Sequence, residues 1–455
     1  MIEYNQPLNG EDTKQSMRSK VCSIMDAALI FLNLSTCYSI IPYLLFHVYN
    51  RYIILIIIGF LNILYILFRF KWKLWPVRHS LFGLYIIISI SCVISAFFTD
   101  TGWSSALVYM FSNVSFYVLL YQLYKHYSRS RDVEHCILSL MSGYICLAAL
   151  SVISVSLVFT LIKTGIISPT INLVNSMADL FDDNVNRLGQ MYYFPYYLSL
   201  VEESGMGVRI PFFQDNGFVL GYFHEPNSLA FMTFPALFIL LYKNKKTFFR
   251  IAILSLYMLV MLVCSSVTNI ASLVCCLLLY LLYSVREDIK TFVLVSSLIF
   301  IVIALVVLTV DLEMFQFFFD KLDSGSSGYS QSTVLFAFTP RTLLGSSFYN
   351  LDYVDWVNPE IRTTDVGFVN FILNLIFMGI CAVKMYKLFW KKDALSIAVF
   401  FFAAYFFLHS TKVAMVSYSL SMFIFVCFIL SLATSKARNA EDSEVTEPCS
   451  DLSCN

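Results

Sequence analysis

Charge is what this chain has least of. Only 13% of its 455 residues are Asp, Glu, Lys or Arg, while 58% are hydrophobic; soluble domains carry about 25% charged residues. So little charge cannot cover a water-soluble surface, which excludes a soluble globular enzyme and leaves an all-α polytopic membrane protein. The twelve cysteines show no metal-type spacing. Cys275 and Cys276 are adjacent within a helical run, which suits neither a zinc site nor a disulfide, so the cysteines read as small apolar packers. A cleavable signal peptide is missing: residues 1–20 are polar and of mixed charge, and the apolar run after them is too long for a signal core. No internal repeat is visible. The formal net charge of zero says nothing about partners, because the charges are segregated by side; no nucleic acid is expected.

What is present is a series of apolar runs. A membrane-spanning helix takes about 20 apolar residues, and about twelve such helices are expected, at 22–46, 52–70, 80–98, 106–122, 136–162, 227–242, 249–265, 267–284, 291–310, 366–384, 394–409 and 413–433. The spans read as nearly free of charge. With the N-terminus inside, 22 of the 30 Lys and Arg fall in the inner loops, as the positive-inside rule requires. Both termini are then cytoplasmic. The inner loops are short, but two outer, periplasmic loops are long, at 163–226 and 311–365, and loops of that length are functional or disordered. Both are rich in aromatics (Met191 to Leu198; Phe315 to Phe319, Tyr349, Tyr353 and Trp356), which suits interfacial helices, a sugar-stacking surface or plain membrane anchoring. Residues 1–434 therefore form one integral-membrane domain, and 435–455 an acidic tail expected to be disordered.

The working surface thus faces out, and the most informative stretch runs from Arg209 to Ala230. It ends in His224-Glu225-Pro226-Asn227-Ser228, where Pro at the first turn marks a helix start. That helix runs inward, so its positive end points to the outer face and attracts anions such as phosphates. Glu225 either compensates that dipole or, like His224 beside it, accepts a proton from a substrate hydroxyl. The planar fork of Arg209 matches phosphate oxygens, and Arg341 and Arg362 are the corresponding cations of the second loop; for each, a salt bridge to a loop acid is the competing role. Thr364 or Asp365 caps the next inward helix. His409 and Lys412 sit in the last, short outer turn, where they line the same cavity or, for Lys412, snorkel to the interface. Asp182-Asp183-Asn184 reads as a solvated turn rather than a metal site. Chemistry at the outer face has no nucleotide sugar or ATP, so a substrate there arrives already activated, and lipid-linked phosphates are the obvious class.

Gly221-Tyr-Phe-His-Glu225-Pro226-Asn227-Ser-Leu-Ala230 resembles the helix-opening motif of the bacterial O-antigen polymerases of the Wzy type, whose relatives include the O-antigen ligases. Leu343-Leu344-Gly345 and Asp365-Val-Gly367 resemble a second motif of that family, although its second glycine is missing and Pro340 is displaced. The resemblance implies a glycosyltransferase C-like fold in the bacterial inner membrane and a metal-independent enzyme without a cofactor. Its substrate would be an undecaprenyl-diphosphate-linked oligosaccharide, the growing chain passing to a new repeat unit. It also implies that Arg209, and with it Arg341 and Arg362, handles the diphosphate. On the chemistry of the residues themselves, Glu225 or His224, with Asp365 the weaker rival, serves as base, and Asn227, His409 and Lys412 are the further candidates for substrate contact. Partners beyond substrate and membrane lipids would be a chain-length-regulating membrane protein and a flippase.

The nearest alternative is an O-antigen ligase acting on lipid A-core. A twelve-helix flippase or transporter is a second; such proteins place ionisable residues at mid-membrane, which this reading does not find. A metal-dependent glycosyltransferase of the related superfamily needs an acid in the first outer loop, which here is only Val48-Tyr-Asn-Arg51-Tyr.

Overall fold

In a computed structural model the described residues are 10–77 apart from 38, 49 and 72, then 83, 86, 87, 90, 93 and 94, 103–127, 133–168, 192–202, 210–298 apart from 224, 368–410, and 420–444. They are mostly helical, and four helices are long and apolar enough to cross a membrane: Arg51–Phe70, Val133–Lys163, Thr247–Cys264 and Thr268–Val285.

The helices are α1 (Gly10–Ser35), α2 (Ile41–Phe46), α3 (Arg51–Phe70), α4 (Trp103–Tyr127) and α5 (Val133–Lys163). After the sheet come α6 (Pro226–Thr233), α7 (Pro235–Lys243), α8 (Thr247–Cys264) and α9 (Val267–Val285), then α10 (Ile289–Leu298) and α11 (Phe368–Phe389), α12 (Ala394–Ser410) and α13 (Leu420–Glu444). Local chemistry sets several ends. Asn50 caps α3 by accepting the Ile53 N–H at 3.1 Å, and Lys71, at φ 48°, ends it in the left-handed region. Ser266 caps α9 by accepting the Asn269 N–H at 3.3 Å. α13 continues through Glu444, past the expected boundary of the acidic tail at 435, and the rest of that tail lies outside the described residues.

Two expected spans are broken helices. The run 22–46 is interrupted between α1 and α2, where Ser39 bridges Phe223 and the Ile40 N–H donates to the Tyr222 carbonyl at 2.9 Å. The run 227–242 is interrupted at Phe234, because Pro235 has no N–H to continue the helix. Leu237 turns its N–H to the Phe234 carbonyl instead, and the Thr233 carbonyl accepts the Tyr257 hydroxyl at 3.2 Å.

The aromatics of the first long loop suit interfacial helices, a sugar-stacking surface or membrane anchoring. Its described part holds a three-stranded antiparallel sheet, β1 (Tyr192–Tyr193), β2 (Leu200–Glu202) and β3 (Phe218–Gly221), rather than an interfacial helix. Tyr193 pairs with Val201, and Glu202 with Phe218. A single turn of 3-10 helix, Pro195–Tyr197, leaves Tyr196 and Tyr197 exposed while Phe194 is buried. The sheet packs its apolar residues on α2 and the first turns of α3, with Phe194, Leu200, Phe218 and Leu220 meeting Tyr43, Ile54 and Ile58.

The helices pack chiefly as α3 on α4, α1 on α5 and α12 on α7. In lipid, apolar burial does not drive helices together; close packing and hydrogen bonds do. Gly143 of α5 illustrates the first: a Cβ there would overlap the Ala27 carbonyl oxygen and lie 2.8 Å from the Phe31 nitrogen of α1. Asn33 and Asn62 illustrate the second, exchanging amide hydrogen bonds of 2.8 and 2.9 Å between α1 and α3, with Ser115 of α4 taking a third at 3.0 Å.

At the far end of α3 from the sheet lies one of the few ionisable groups within the expected spans. Asp26 of α1 is 1% exposed. Its two carboxylate oxygens accept the hydroxyls of Tyr65 at 2.5 Å and Tyr127 at 2.7 Å, with Arg69 at 3.7 Å and His126 3.0 Å beyond Arg69. One acid in an apolar run vanishes in a hydropathy average; its partners lie on two other helices.

Candidate functional site at the sheet end of the bundle

β3 delivers the chain to the site. Gly221, at φ 59°, turns the strand against α5, where a Cβ would stand 3.2 Å from Val155 Cγ2 and 3.3 Å from the Ser151 carbonyl oxygen. Glycine takes this left-handed conformation without the steric cost other residues carry. Tyr222 and Phe223 then make the backbone contacts to Ser39 and Ile40, so the residues just before the motif are tied to the break between α1 and α2.

Glu225 is the N-cap residue of α6 in an extended conformation, and its side chain makes no capping hydrogen bond to the backbone. Oε1 instead accepts the Ser228 hydroxyl at 3.1 Å. The carboxylate therefore stands at the positive end of the helix, restrained by a hydroxyl one turn on.

Asn227 is held from across the bundle. Its Oδ1 accepts the hydroxyl of Ser266, in the turn between α8 and α9, at 2.5 Å. Ser266 in turn accepts the backbone N–H of Asn269. The Asn269 side-chain oxygen accepts the Tyr405 hydroxyl of α12 at 2.6 Å, and Tyr405 lies 3.3 Å from His409 Nδ1. With the Tyr405 proton committed to Asn269, His409 is the donor of that last pair through Nδ1. Asn269, Tyr405 and His409 are all fully buried. The His409 ring stacks on Tyr405 and also meets Phe231 of α6, at 5.6 and 5.8 Å between centroids.

The loop between β2 and β3 is fastened to the same end. Gln214 accepts the Ile210 N–H at 2.6 Å and donates to the Leu262 and Val263 carbonyls at 2.5 and 2.7 Å. It thereby satisfies carbonyls that the end of α8 leaves without an intrahelical partner. Lys163, the last residue of α5, pairs with Asp215 at 3.2 Å and sits 4.9 Å over the Phe212 ring. The Phe212 N–H and the Lys163 ammonium hold the Asp215 carboxyl below its ordinary value.

Three of the residues singled out in the sequence are therefore brought to one end of the bundle: Glu225 and Asn227 on α6, and His409 on α12. His409, expected in the last short outer turn, lies in the last turn of that helix and is buried. His224, Arg209, Arg341, Arg362, Asp365 and Lys412 lie outside the described residues. The sequence reading passed over Ser266, Asn269, Tyr405 and Gln214, which link these elements. It also passed over Glu202, buried on β2. The only signal was polar residues in otherwise apolar runs, such as Asn269 near the start of a span.

No protein-family model matches the chain, and neither a curated protein nor a solved structure matches it significantly.

Proposed function

We propose that this chain is a membrane-embedded polysaccharide polymerase of the Wzy type. It transfers a growing undecaprenyl-diphosphate-linked glycan onto a new lipid-linked repeat unit at the periplasmic face of the bacterial inner membrane. The reading includes about twelve spans, both termini in the cytoplasm, a glycosyltransferase C-like fold and no metal. The observation that carries it is the setting of Glu225. Its carboxylate stands at the positive end of α6, bonded to Ser228 rather than to the helix backbone, with Asn227 fixed beside it.

In the reaction, the acceptor hydroxyl loses its proton to Glu225 or His224, with Asp365 the weaker rival, and its oxygen attacks the anomeric carbon of the donor glycan. The bond from that carbon to the diphosphate oxygen breaks, and undecaprenyl diphosphate leaves with the electron pair. Arg209, with Arg341 and Arg362, neutralises that leaving group, and the helix end adds preorganised positive potential. Lys412 lines the same cavity, and the fully buried His409 stands behind it as the partner of Tyr405.

A ligase would use the same chemistry on a different acceptor. One observation favours a transporter instead: the buried Asp26 is an ionisable group within a span. Both of its oxygens are engaged by tyrosines and Arg69 is close by, which is the geometry of a helix tie.

The test is a gel of surface polysaccharide from a strain lacking this gene. Wild-type chain restores a ladder of long polymer, and Glu225→Ala or Arg209→Ala leaves single repeats. Loss of every repeat from the core would identify a ligase, and a full ladder with both variants would refute the site.

A further inference from the structure

We infer that Ser266, Asn269 and Tyr405 are positioning residues that set the conformation of Asn227, and with it the opening of α6. The inference deepens the polymerase reading and rests on it for its meaning, though not for its geometry.

The argument begins with direction. Ser266 has one hydroxyl proton, and it goes to Asn227 Oδ1 at 2.5 Å. Its oxygen receives the Asn269 N–H, so the side chain cannot leave this rotamer without uncapping α9. Because Oδ1 of Asn227 is occupied, its amide presents its two N–H groups, not its oxygen, away from Ser266. Ser266 therefore decides which end of the Asn227 amide is turned away from the α8–α9 turn at the opening of α6. A donor there suits an anionic ligand, and an acceptor would repel one.

The second part is what fixes the turn carrying Ser266. α12 is apolar almost throughout, yet it carries Tyr405, whose hydroxyl reaches Asn269 Oδ1 at 2.6 Å. Both residues are fully buried. An apolar bundle gains nothing from placing a phenol and an amide there unless they bond. The pair locks the first turn of α9, and through it Ser266, against α12. α6, α9 and α12 are thus joined end to end by one chain of hydrogen bonds at the Glu225 end of α6.

The experiment uses full-length protein in lipid nanodiscs with Ser266→Ala, Ser266→Thr and Tyr405→Phe. Two readouts are taken: amide hydrogen exchange of the segment 222–232, and chain growth on undecaprenyl-diphosphate-linked repeats. Losing one such hydrogen bond speeds local opening roughly 3- to 10-fold. Ser266→Ala and Tyr405→Phe are expected to speed exchange of 222–232 by that factor with the rest of the bundle unchanged. Ser266→Thr, which keeps the hydroxyl, restores the wild-type rate. Chain growth falls with Ser266→Ala, and Ser266→Ala combined with Asn227→Ala is no worse than Asn227→Ala alone. Unchanged exchange in 222–232 for Ser266→Ala and Tyr405→Phe overturns the relay. So does an additive double variant, or a Ser266→Ala loss that Ser266→Thr does not rescue. If wild-type protein shows no chain growth, the polymerase reading fails, and the exchange data still decide the relay.

Discussion

The hydroxyl of Ser266 donates to Oδ1 of Asn227 across 2.5 Å, tying the turn between α8 and α9 to the first turn of α6. This contact joins parts of the chain 39 residues apart. It brings the one polar motif legible in the sequence into register with the buried phenol and imidazole of α12. What surrounds Glu225 is therefore a braced helix end rather than an isolated loop acid.

Asp26 provides the first prediction. Replacing it with Ala leaves the hydroxyls of Tyr65 and Tyr127 and the Arg69 guanidinium without their buried acceptor. Removing one partner of a buried ionic group costs about 3 kcal/mol. Thermal unfolding in nanodiscs should show that loss for Asp26→Ala and a smaller one for Asp26→Asn, which keeps an acceptor oxygen. Polymer length should survive Asp26→Asn. A folded Asp26→Asn protein without activity would instead favour the transporter reading.

Gly143 gives the second. An added methyl meets the backbone of α1 at Ala27 and Phe31, which cannot yield as a flexible side chain does. Gly143→Ala should destabilise the protein by about 1–3 kcal/mol, the usual cost of overpacking, read as a lower unfolding temperature. Gly379→Ala, where no atom stands within 4 Å of the new Cβ, serves as the control and should change little.

Acidity gives the third. The Asp215 carboxyl is held below its ordinary 3.8 by the Phe212 N–H and then by Lys163. A depressed carboxyl contributes stability above its unfolded value and loses it as pH falls through the folded one. The difference between wild type and Asp215→Asn should be present at pH 7 and hold to about pH 5. It should then shrink as pH falls below 3.8 and vanish below the depressed folded value, measured as exchange of the segment 210–217. Asp215 is exposed, so the effect should be small and weakened by salt.

How much of this was readable in the sequence depended on which physical signal each residue carried. Arg51–Phe70 and Val133–Lys163 are long apolar runs, and hydropathy finds them. Pro226 announced the start of α6, since proline fits a first helical turn. Pro235 was equally visible, but an apolar average does not register a missing N–H, so the break at Phe234 was lost. The break between α1 and α2 carried one local signal, Pro42 in the first turn of α2, but what holds it, Tyr222 and Phe223, lies far along the chain. β3 is four buried residues, too short for alternation to show. Tyr405 is one aromatic among many in an apolar run, and only its bond to Asn269 sets it apart. Glu225 and Asn227 were legible as a motif; what braces them was not, because each brace is a pairing across the bundle.

The central claim is that the Glu225 end of α6 joins lipid-linked glycans. Purified protein in liposomes, supplied only with undecaprenyl-diphosphate-linked repeat units, tests it most directly by following chain length and released undecaprenyl diphosphate together. The account predicts a ladder of growing polymer with matching diphosphate release, without added metal. Glu225→Ala should slow both by about 100-fold or more, the scale of a lost general base, and Arg209→Ala should slow them severely. Repeats that stay single with wild-type protein, or a Glu225→Ala protein that builds long chains at the wild-type rate, would contradict it.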